Sequence, residues 1–270
     1  MPQYDGAGRP VVDVTTPSVA RMYDFYLGGK DNYAVDRAAV AELDEVVPST
    51  RALALNNRRF LRRVVRRLAE EYGVRQFLDH GSGLPTQDNV HQVAQRVDPG
   101  AHVVYVDNDP IVLAHGRALL EEDERTVVIQ ADMRDTEGIF ERPEVRRLVD
   151  FSQPVAALFV SVMHCLPDPD PETLLKQVVE RLPAGSFLVV NQLVSEERET
   201  RDFVTDFMDR STHGCWGRVR EPHEVARYFD GLKVLDPGLG RIDAWRPDSE
   251  LCPRQRTDEW YEFGGVARKG

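Results

Sequence analysis

The hydrophobic pattern switches period within one short stretch. Gln76-Phe77-Leu78-Asp79 is a partly apolar, strand-like run that stops at a glycine turn. From Gln87 to Val97 the apolar residues Val90, Val93, Ala94 and Val97 then recur at helical spacing. A β-branched run follows, His102-Val103-Val104-Tyr105-Val106, ending at Asp107. Strand, turn, helix and strand make a parallel βαβ unit, whose crevice lies at the carboxyl ends of its strands. The same alternation continues. Strands are expected at Thr126 to Gln130, Val155 to Val160, Ser186 to Gln192, where Phe229 to Leu235 leads into one, and from Glu259 to Ala267. The near-continuous apolar run at Val155 suits a central strand buried on both faces. Helical patterns between them span Pro110 to Leu120, Glu137 to Val149 with a break at Pro143, Pro171 to Leu182, Glu196 to Asp209 and Pro222 to Phe229. The expected fold class is α/β.

The region before this unit is helical. Residues 1 to 14 are rich in Gly, Pro and Asp and read as a loose arm. Thr15 or Thr16 is placed to cap a helix that Pro17 opens and Gly28-Gly29 ends, with Val19, Met22, Tyr23, Tyr26 and Leu27 on it. A second helix is expected from Asp36 to Val46, and a long third one from Thr50 to Tyr72, stopped at Gly73. The first helix reads equally as a packing cap and as a lid. The third carries an apolar stripe opposite Arg58, Arg59, Arg62, Arg63, Arg66 and Arg67. That basic face reads as a solvated helix surface rather than an anion-binding site, since exposed helix faces are usually charged. The expected division is residues 1–73 as an N-terminal helical cap or lid and residues 74–270 as the core.

Composition narrows the classes. With 41% apolar and 29% charged residues the chain is globular. A net charge of −11 argues against general nucleic-acid binding, which needs a basic surface. Cys165, Cys215 and Cys252 form no metal-ligand spacing, so no metal is expected, and they suit a reducing cytoplasm. The sequence holds no apolar run of about 18 residues and no signal-peptide core, so the expected location is cytoplasmic, away from membranes.

The glycine turn suggests the ligand. Gly81 and Gly83 allow a sharp bend and close approach of backbone to a ligand. A dinucleotide fingerprint would place a third glycine where Thr86 stands. Asp79, two positions before the turn, would repel a pyrophosphate but attract an ammonium or sulfonium. Asp107 at the next strand end can accept from both ribose hydroxyls. The pattern favours an adenosyl cofactor without phosphates; the plain alternative is an ordinary strand–helix turn.

Here the residues carry a resemblance. Pro17-Ser-Val-Ala-Arg-Met-Tyr-Asp-Phe-Tyr-Leu-Gly-Gly-Lys-Asp-Asn32, Phe77-Leu-Asp-His-Gly-Ser-Gly-Leu-Pro-Thr86, Val103-Val-Tyr-Val-Asp-Asn-Asp-Pro110 and Gly264-Gly-Val-Ala-Arg-Lys269 resemble a family of S-adenosylmethionine-dependent methyltransferases long described only as a domain of unknown function. His80 departs from the pattern, where an aliphatic residue is usual. The resemblance implies a class I, Rossmann-like fold: a mostly parallel seven-stranded sheet with an antiparallel last strand, under an N-terminal helical cap. It also implies S-adenosyl-L-methionine held by Asp79, Gly81, Ser82, Gly83, Asp107 and Asn108. Asp132 and Met133 would hold the adenine, and Ser161, just after the fourth strand, would also bind the cofactor. Arg21, Gly28 and Gly29 would bind the cofactor from the lid side, with Arg21 available to its carboxylate. His164 is the residue after the fourth strand able to act as general base near neutral pH; a structural histidine is the plainer reading.

The implied activity is methyl transfer to a small-molecule acceptor, with a non-catalytic cofactor-binding module as the alternative. Thr86 and Asp79 argue against a nicotinamide oxidoreductase. Replacing Asp107 with Ala should weaken binding of S-adenosylmethionine by ~1 to 3 kcal/mol, read by calorimetry; unchanged affinity in a folded variant would refute the ribose assignment.

Overall fold

A computed structural model describes residues 13–85, 88–119, 124–248, 255 and 258–270. Thr86, Gln87, Leu120, Cys252, most of the arm and most of the 121–124 loop therefore lie outside the described residues. The sheet is built from β1 (Gln76–His80), β2 (His102–Asp107), β3 (Thr126–Gln130), β4 (Ala156–Val160), β5 (Phe187–Val194), β6 (Lys233–Val234), β7 (Gly240–Arg241) and β8 (Tyr261–Arg268). The helices are α1 (Val19–Tyr26), α2 (Ala34–Val46), α3 (Thr50–Tyr72), α4 (Val90–Val97), α5 (Pro110–Leu119), α6 (Thr136–Glu141), α7 (Pro143–Leu148), α8 (Asp170–Arg181), α9 (Arg198–Ser211) and α10 (Pro222–Ala226).

The strand order is β3-β2-β1-β4-β5-β8-β6, with β7 also paired to β8. Strands β1 to β5 are parallel, and β8 runs antiparallel to β5, β6 and β7. This is the expected Rossmann-like sheet with an antiparallel final strand. The two-residue β7 adds an eighth strand to the expected seven, because the Gly- and Pro-punctuated segment after β6 pairs briefly with β8. The chain steps from β1 outward to β2 and β3, then returns to β4 on the other side of β1. That reversal opens a crevice at the carboxyl ends of β1, β2 and β4.

Both sheet faces are covered, so the inner strands are apolar in consecutive positions. Phe77 packs on one face with Phe60, Val64 and Val93 from α3 and α4. Its neighbour Leu78 packs on the other with Ile139, Val145 and Leu174 from α6, α7 and α8. A third cluster joins Met22, Tyr26, Val40 and Leu43 of α1 and α2 to Phe207 and Met208 of α9, and to Trp216 and Trp260. A division at residue 73 therefore cuts through packing: Phe60 to Ala69 of α3 belong to the sheet's own core, and the cap proper is α1 and α2.

Two local expectations change. The first helix begins at Val19 after Ser18, not at Pro17. Asp13 captures the backbone N–H groups of Thr15 (2.7 Å) and Thr16 (3.2 Å), closing a separate turn before the helix. The basic face of α3 is also not uniformly solvated. Arg63 is buried and donates to the carbonyls of Trp245 (3.0 Å) and Ile242 (2.7 Å). It thereby fixes the loop that carries Trp245, whose ring meets Phe60 edge-on at 5.5 Å. Arg62, Arg66 and Arg67 pair with Asp88, Asp248 and Glu71, as expected of a solvated face.

Removing Arg63 should therefore cost far more than removing its neighbour. Arg63→Ala is expected to destabilise the fold by at least about 1.5–3 kcal/mol, the scale of hydrogen bonds to a charged group. Arg62→Ala, which loses a surface pair, should stay within about 1 kcal/mol. Urea unfolding of both variants checks this, and equal shifts would contradict it.

Candidate functional site

The crevice opens into a cavity of about 1130 Å³. Its floor is the carboxyl end of the sheet, and its roof is the segment from Asp13 through α1. Gly81 and Gly83 both have left-handed φ, +69° and +65°, which turn the chain off the end of β1. The turn is tied to β2: the N–H groups of Gly81 (2.8 Å) and Ser82 (3.2 Å) donate to the Val106 carbonyl. Gly81 has no room for a side chain, since a Cβ there would lie 2.3 Å from Val162. At Gly83 a Cβ would meet nothing within 4 Å, so the outer side of the turn faces open space.

Asp107 braces this turn. Its Oδ2 accepts from the Gly83 N–H (2.9 Å) and its Oδ1 from the Asp109 N–H (2.9 Å). A carboxylate offers about four lone-pair sites, so both oxygens keep acceptor capacity. Asp79 lies alongside on β1, in register with Tyr105 and Leu158. Burial pushes Asp79 up to about 7, with the Asp107 charge adding and Arg58 opposing. Burial likewise pushes Asp107 up to about 6, against hydrogen bonds from Asp109 and Gly83.

Asn108, Asp132, Met133 and Ser161 also line the cavity. The Met133 methyl group reaches over Gly81, where it would stand 3.3 Å from an added Cβ. Asp132 is engaged by Arg134, whose Nε lies 3.0 Å from both carboxylate oxygens and which also reaches Asp170 at 3.1 Å. That contact holds Asp132 below the ordinary carboxylate range. Ser161 has a left-handed φ of +56° and donates from Oγ to Glu262. The departure at His80 is accommodated by stacking: its ring lies 4.3 Å from that of Phe159 and is buried, which holds it neutral, pushed down to about 4.

The lid residues have partners other than those expected. Arg21 lines the roof, but its Nε pairs with the buried Asp36 at 2.7 Å and its Nη2 donates to the Thr16 carbonyl at 2.5 Å. Its charge is already neutralised, so it serves the lid's own architecture. Gly28 and Gly29 lie outside the cavity lining. Gly29 is required because a Cβ there would collide with the Asp24 carboxylate, 1.9 Å away. Asp24 in turn accepts from the Asp31 N–H (2.9 Å) and Asn32 (2.8 Å), closing the turn after α1. The lid itself does reach the site: Ala20 packs on Leu84, Ile111 and Val112, and Ser18 reaches Asp109 at 3.4 Å.

His164 does line the cavity, but its environment opposes the role of general base. Its Nδ1 accepts from the Leu193 N–H at 3.3 Å, and its ring lies 4.8 Å from that of Trp216. Burial and the nearby Arg220 charge push it down to about 3. A group that weakly basic does not hold a proton taken near neutral pH. Trp216 is buried in the cap cluster and, with Thr212, Gly214 and Cys215, also lines the cavity.

Sequence reasoning missed Glu262, Asn57, Tyr23 and Arg58, all on the cavity wall. A signal was present for Glu262, an acid set between Tyr261 and Phe263 in the last strand. For the others only the folded arrangement reveals the role. Among the described residues no cluster of His, Cys, Asp and Glu could hold a metal ion, and no helix is long and apolar enough to cross a membrane.

The family model described as S-adenosyl methyltransferase matches residues 5–270. A crystal structure from Thermobifida fusca, of a protein named as a candidate methyltransferase, superposes with a TM-score of 0.88 at 40% identity. The match covers 95% of this chain and 96% of that one. A DUF574 family protein from Streptomyces avermitilis superposes with a TM-score of 0.87 at 34% identity, covering 96% of this chain and 99% of that one. No curated protein sequence matches the chain. With its fold, its glycine turn and its sequence along nearly its whole length in agreement, the chain belongs to the S-adenosyl methyltransferase family.

Proposed function

We propose that this protein binds S-adenosyl-L-methionine across the ends of β1, β2 and β3 and transfers its methyl group to a small molecule enclosed under the lid. The observation that carries the reading is the pair of acids, buried Asp79 and half-buried Asp107, beside a glycine turn that faces open cavity. A buried carboxyl is costly to ionise alone, and a cationic ligand removes that cost. In this reading Asp79 receives the ligand's ammonium and Asp107 its ribose hydroxyls. Asn108 and Asp132 take the adenosine edge, Met133 covers the ring, and the Gly81–Gly83 backbone allows close approach. When bound, the sulfonium supplies an activated methyl group and a neutral leaving group. The protein's part is to orient an acceptor against that methyl and to exclude water.

The cavity supports a second occupant. Ligand pockets commonly run about 300–1,000 Å³, and this one, at about 1130 Å³, exceeds that range. Its closure by α1 and by the loop after α9 favours a small acceptor over a macromolecular surface. Mixing the protein, the donor and a metabolite extract, then searching for methylated product, separates methyl transfer from cofactor binding alone. S-adenosylhomocysteine formation with a methylated product is expected; tight binding without any product would leave only a cofactor-binding module.

The two acids also fix the sign of a pH dependence. An aspartate has an ordinary pKa of about 3.9, and burial holds Asp79 at about 7 and Asp107 at about 6. Their contribution to folding is fully present below about pH 4 and is lost as pH rises through those folded values. A cationic ligand prefers both ionised, so its affinity should climb over the same range. Arg58, which opposes the shift at Asp79, and Asp109, which adds to it at Asp107, are the other charges acting on the pair. Calorimetry should find S-adenosylmethionine bound roughly tenfold or more tighter at pH 8 than at pH 5.5, with the gain reduced in Asp79→Asn. Affinity that is flat or falls with pH would contradict the assignment.

A further inference from the structure

The cavity wall holds a further buried acid, which the donor-binding reading leaves without a role. Glu262, on β8, is 3% exposed and lines the same cavity as Asp79 and Gly81. Among the described residues no ion pair reaches it. It is held instead by neutral donors, the Ser161 hydroxyl on one oxygen and the Asn191 amide at 2.6 Å on the other. The same Asn191 amide also donates to Asn57 Oδ1 at 2.9 Å, and the Asn57 amide donates to the Tyr23 hydroxyl at 2.8 Å. Tyr23 passes the chain on to the Ala54 carbonyl at 3.2 Å. One hydrogen-bonded chain thus joins β8, β5, α3 and the lid helix at a single patch of wall.

We propose that Glu262 is the proton acceptor of the methyl-transfer reaction, and that the methyl acceptor is a largely apolar molecule presenting a hydroxyl or amine to it. The inference rests on the donor-binding reading above and deepens it. Three observations carry it. A carboxyl is an expensive side chain to bury among neutral donors when an amide of the same shape would complete the same network, whereas a group that must exchange a proton has to be an acid. Ser161, whose hydroxyl orients Glu262, is a non-glycine residue held at φ +56° immediately after β4, and strained backbone of this kind collects at functional sites. The surrounding wall is apolar, with Leu53, Leu193, Met208, Trp216 and Trp260. It would receive an alkyl or ring-bearing molecule, and the carboxylate would repel an anionic one.

The chemistry is balanced without any further reagent. The acceptor's oxygen or nitrogen forms a bond to the methyl carbon as the carbon–sulfur bond breaks, and that bonding pair remains on sulfur as a neutral thioether. The proton released from the acceptor goes to a Glu262 oxygen. Burial pushes Glu262 up to about 7, so it can take up and release a proton near neutral pH, where His164 cannot. Tyr23, pushed up to about 12 by burial, stays protonated and serves as a positioning residue.

The test uses the full chain and Glu262→Gln. Calorimetry with S-adenosylhomocysteine comes first, and both proteins should bind it within about threefold. Failure of the wild type to bind would sink the donor-binding reading itself, separately from this one. The second readout needs no turnover: 2-naphthol, whose excited state releases its proton to a nearby base, is added to the S-adenosylhomocysteine-loaded proteins. Naphtholate emission from the wild type and neutral-naphthol emission from Glu262→Gln are expected. Absence of binding, or the same emission from both, overturns the proposal.

The third readout is methylation of a panel of phenols, alkyl alcohols and arylamines. An O- or N-methylated product is expected, formed about 10² times more slowly by Glu262→Gln, the low end of general-base contributions. No product across the panel, product only at carbon, thiol or carboxylate, or a variant within threefold of the wild type would overturn it. Should Glu262→Gln fail to bind S-adenosylhomocysteine, Glu262→Asp replaces it: a fall in kcat with KM held is expected, and an unchanged kcat overturns the proposal.

Discussion

The structure turns on the cost of drawing two neighbouring carboxyls out of water, Asp79 fully and Asp107 in part. Asp79 and Asp107 end adjacent parallel strands, and the register that pairs Asp79 with Tyr105 sets them beside the same glycine turn. Neither has a pairing cation in the described ion pairs, and both are held largely by burial in a state that resists ionisation. Asp107 recovers part of that cost by accepting from two backbone N–H groups, which locks the turn to β2. What remains uncompensated is a site suited to a positively charged ligand.

The cap supplies the enclosure that makes this electrostatics effective. Its centre is another carboxylate, Asp36, fully buried, which pairs with Arg21 and accepts from the N–H groups of Ser18 and Tyr33. One side chain thereby fixes the entry to α1, the start of α2 and the buried cation Arg21. Ala20 and Ser18 then lay the lid over the start of α5. Shielding from water strengthens every charge interaction beneath it, and it leaves room beside the donor for an acceptor. Arg21 is paired within this helical segment, and Gly28 and Gly29 lie in the turn after α1, outside the cavity lining.

The parts of this arrangement that were legible in the sequence are those fixed by local pattern. The βαβ unit and the stop at Gly73 follow from periodicity and turn chemistry over a few residues, while the sheet's arrangement came from the family resemblance. The acid at each strand end could be read because the topology determines where a strand end points. The rest depends on partners far apart in the chain. Arg63 looks like its solvated neighbours until residues 242 to 245 fold onto it. Arg21 is a free cation on paper and a paired one beside Asp36. His164 has the right chemistry in solution and loses it by burial near Arg220. Glu262 gains its position only when β8 inserts between β5 and β6.

The central claim is that the ends of the first strands receive a cationic, phosphate-free nucleoside. A crystal structure grown with S-adenosylhomocysteine tests it most directly. The account predicts the ligand's amine at Asp79, its ribose hydroxyls at Asp107, and its sulfur facing open space on the Glu262 side. A ligand seated elsewhere, or a cleft closed by the protein's own side chains, would contradict it.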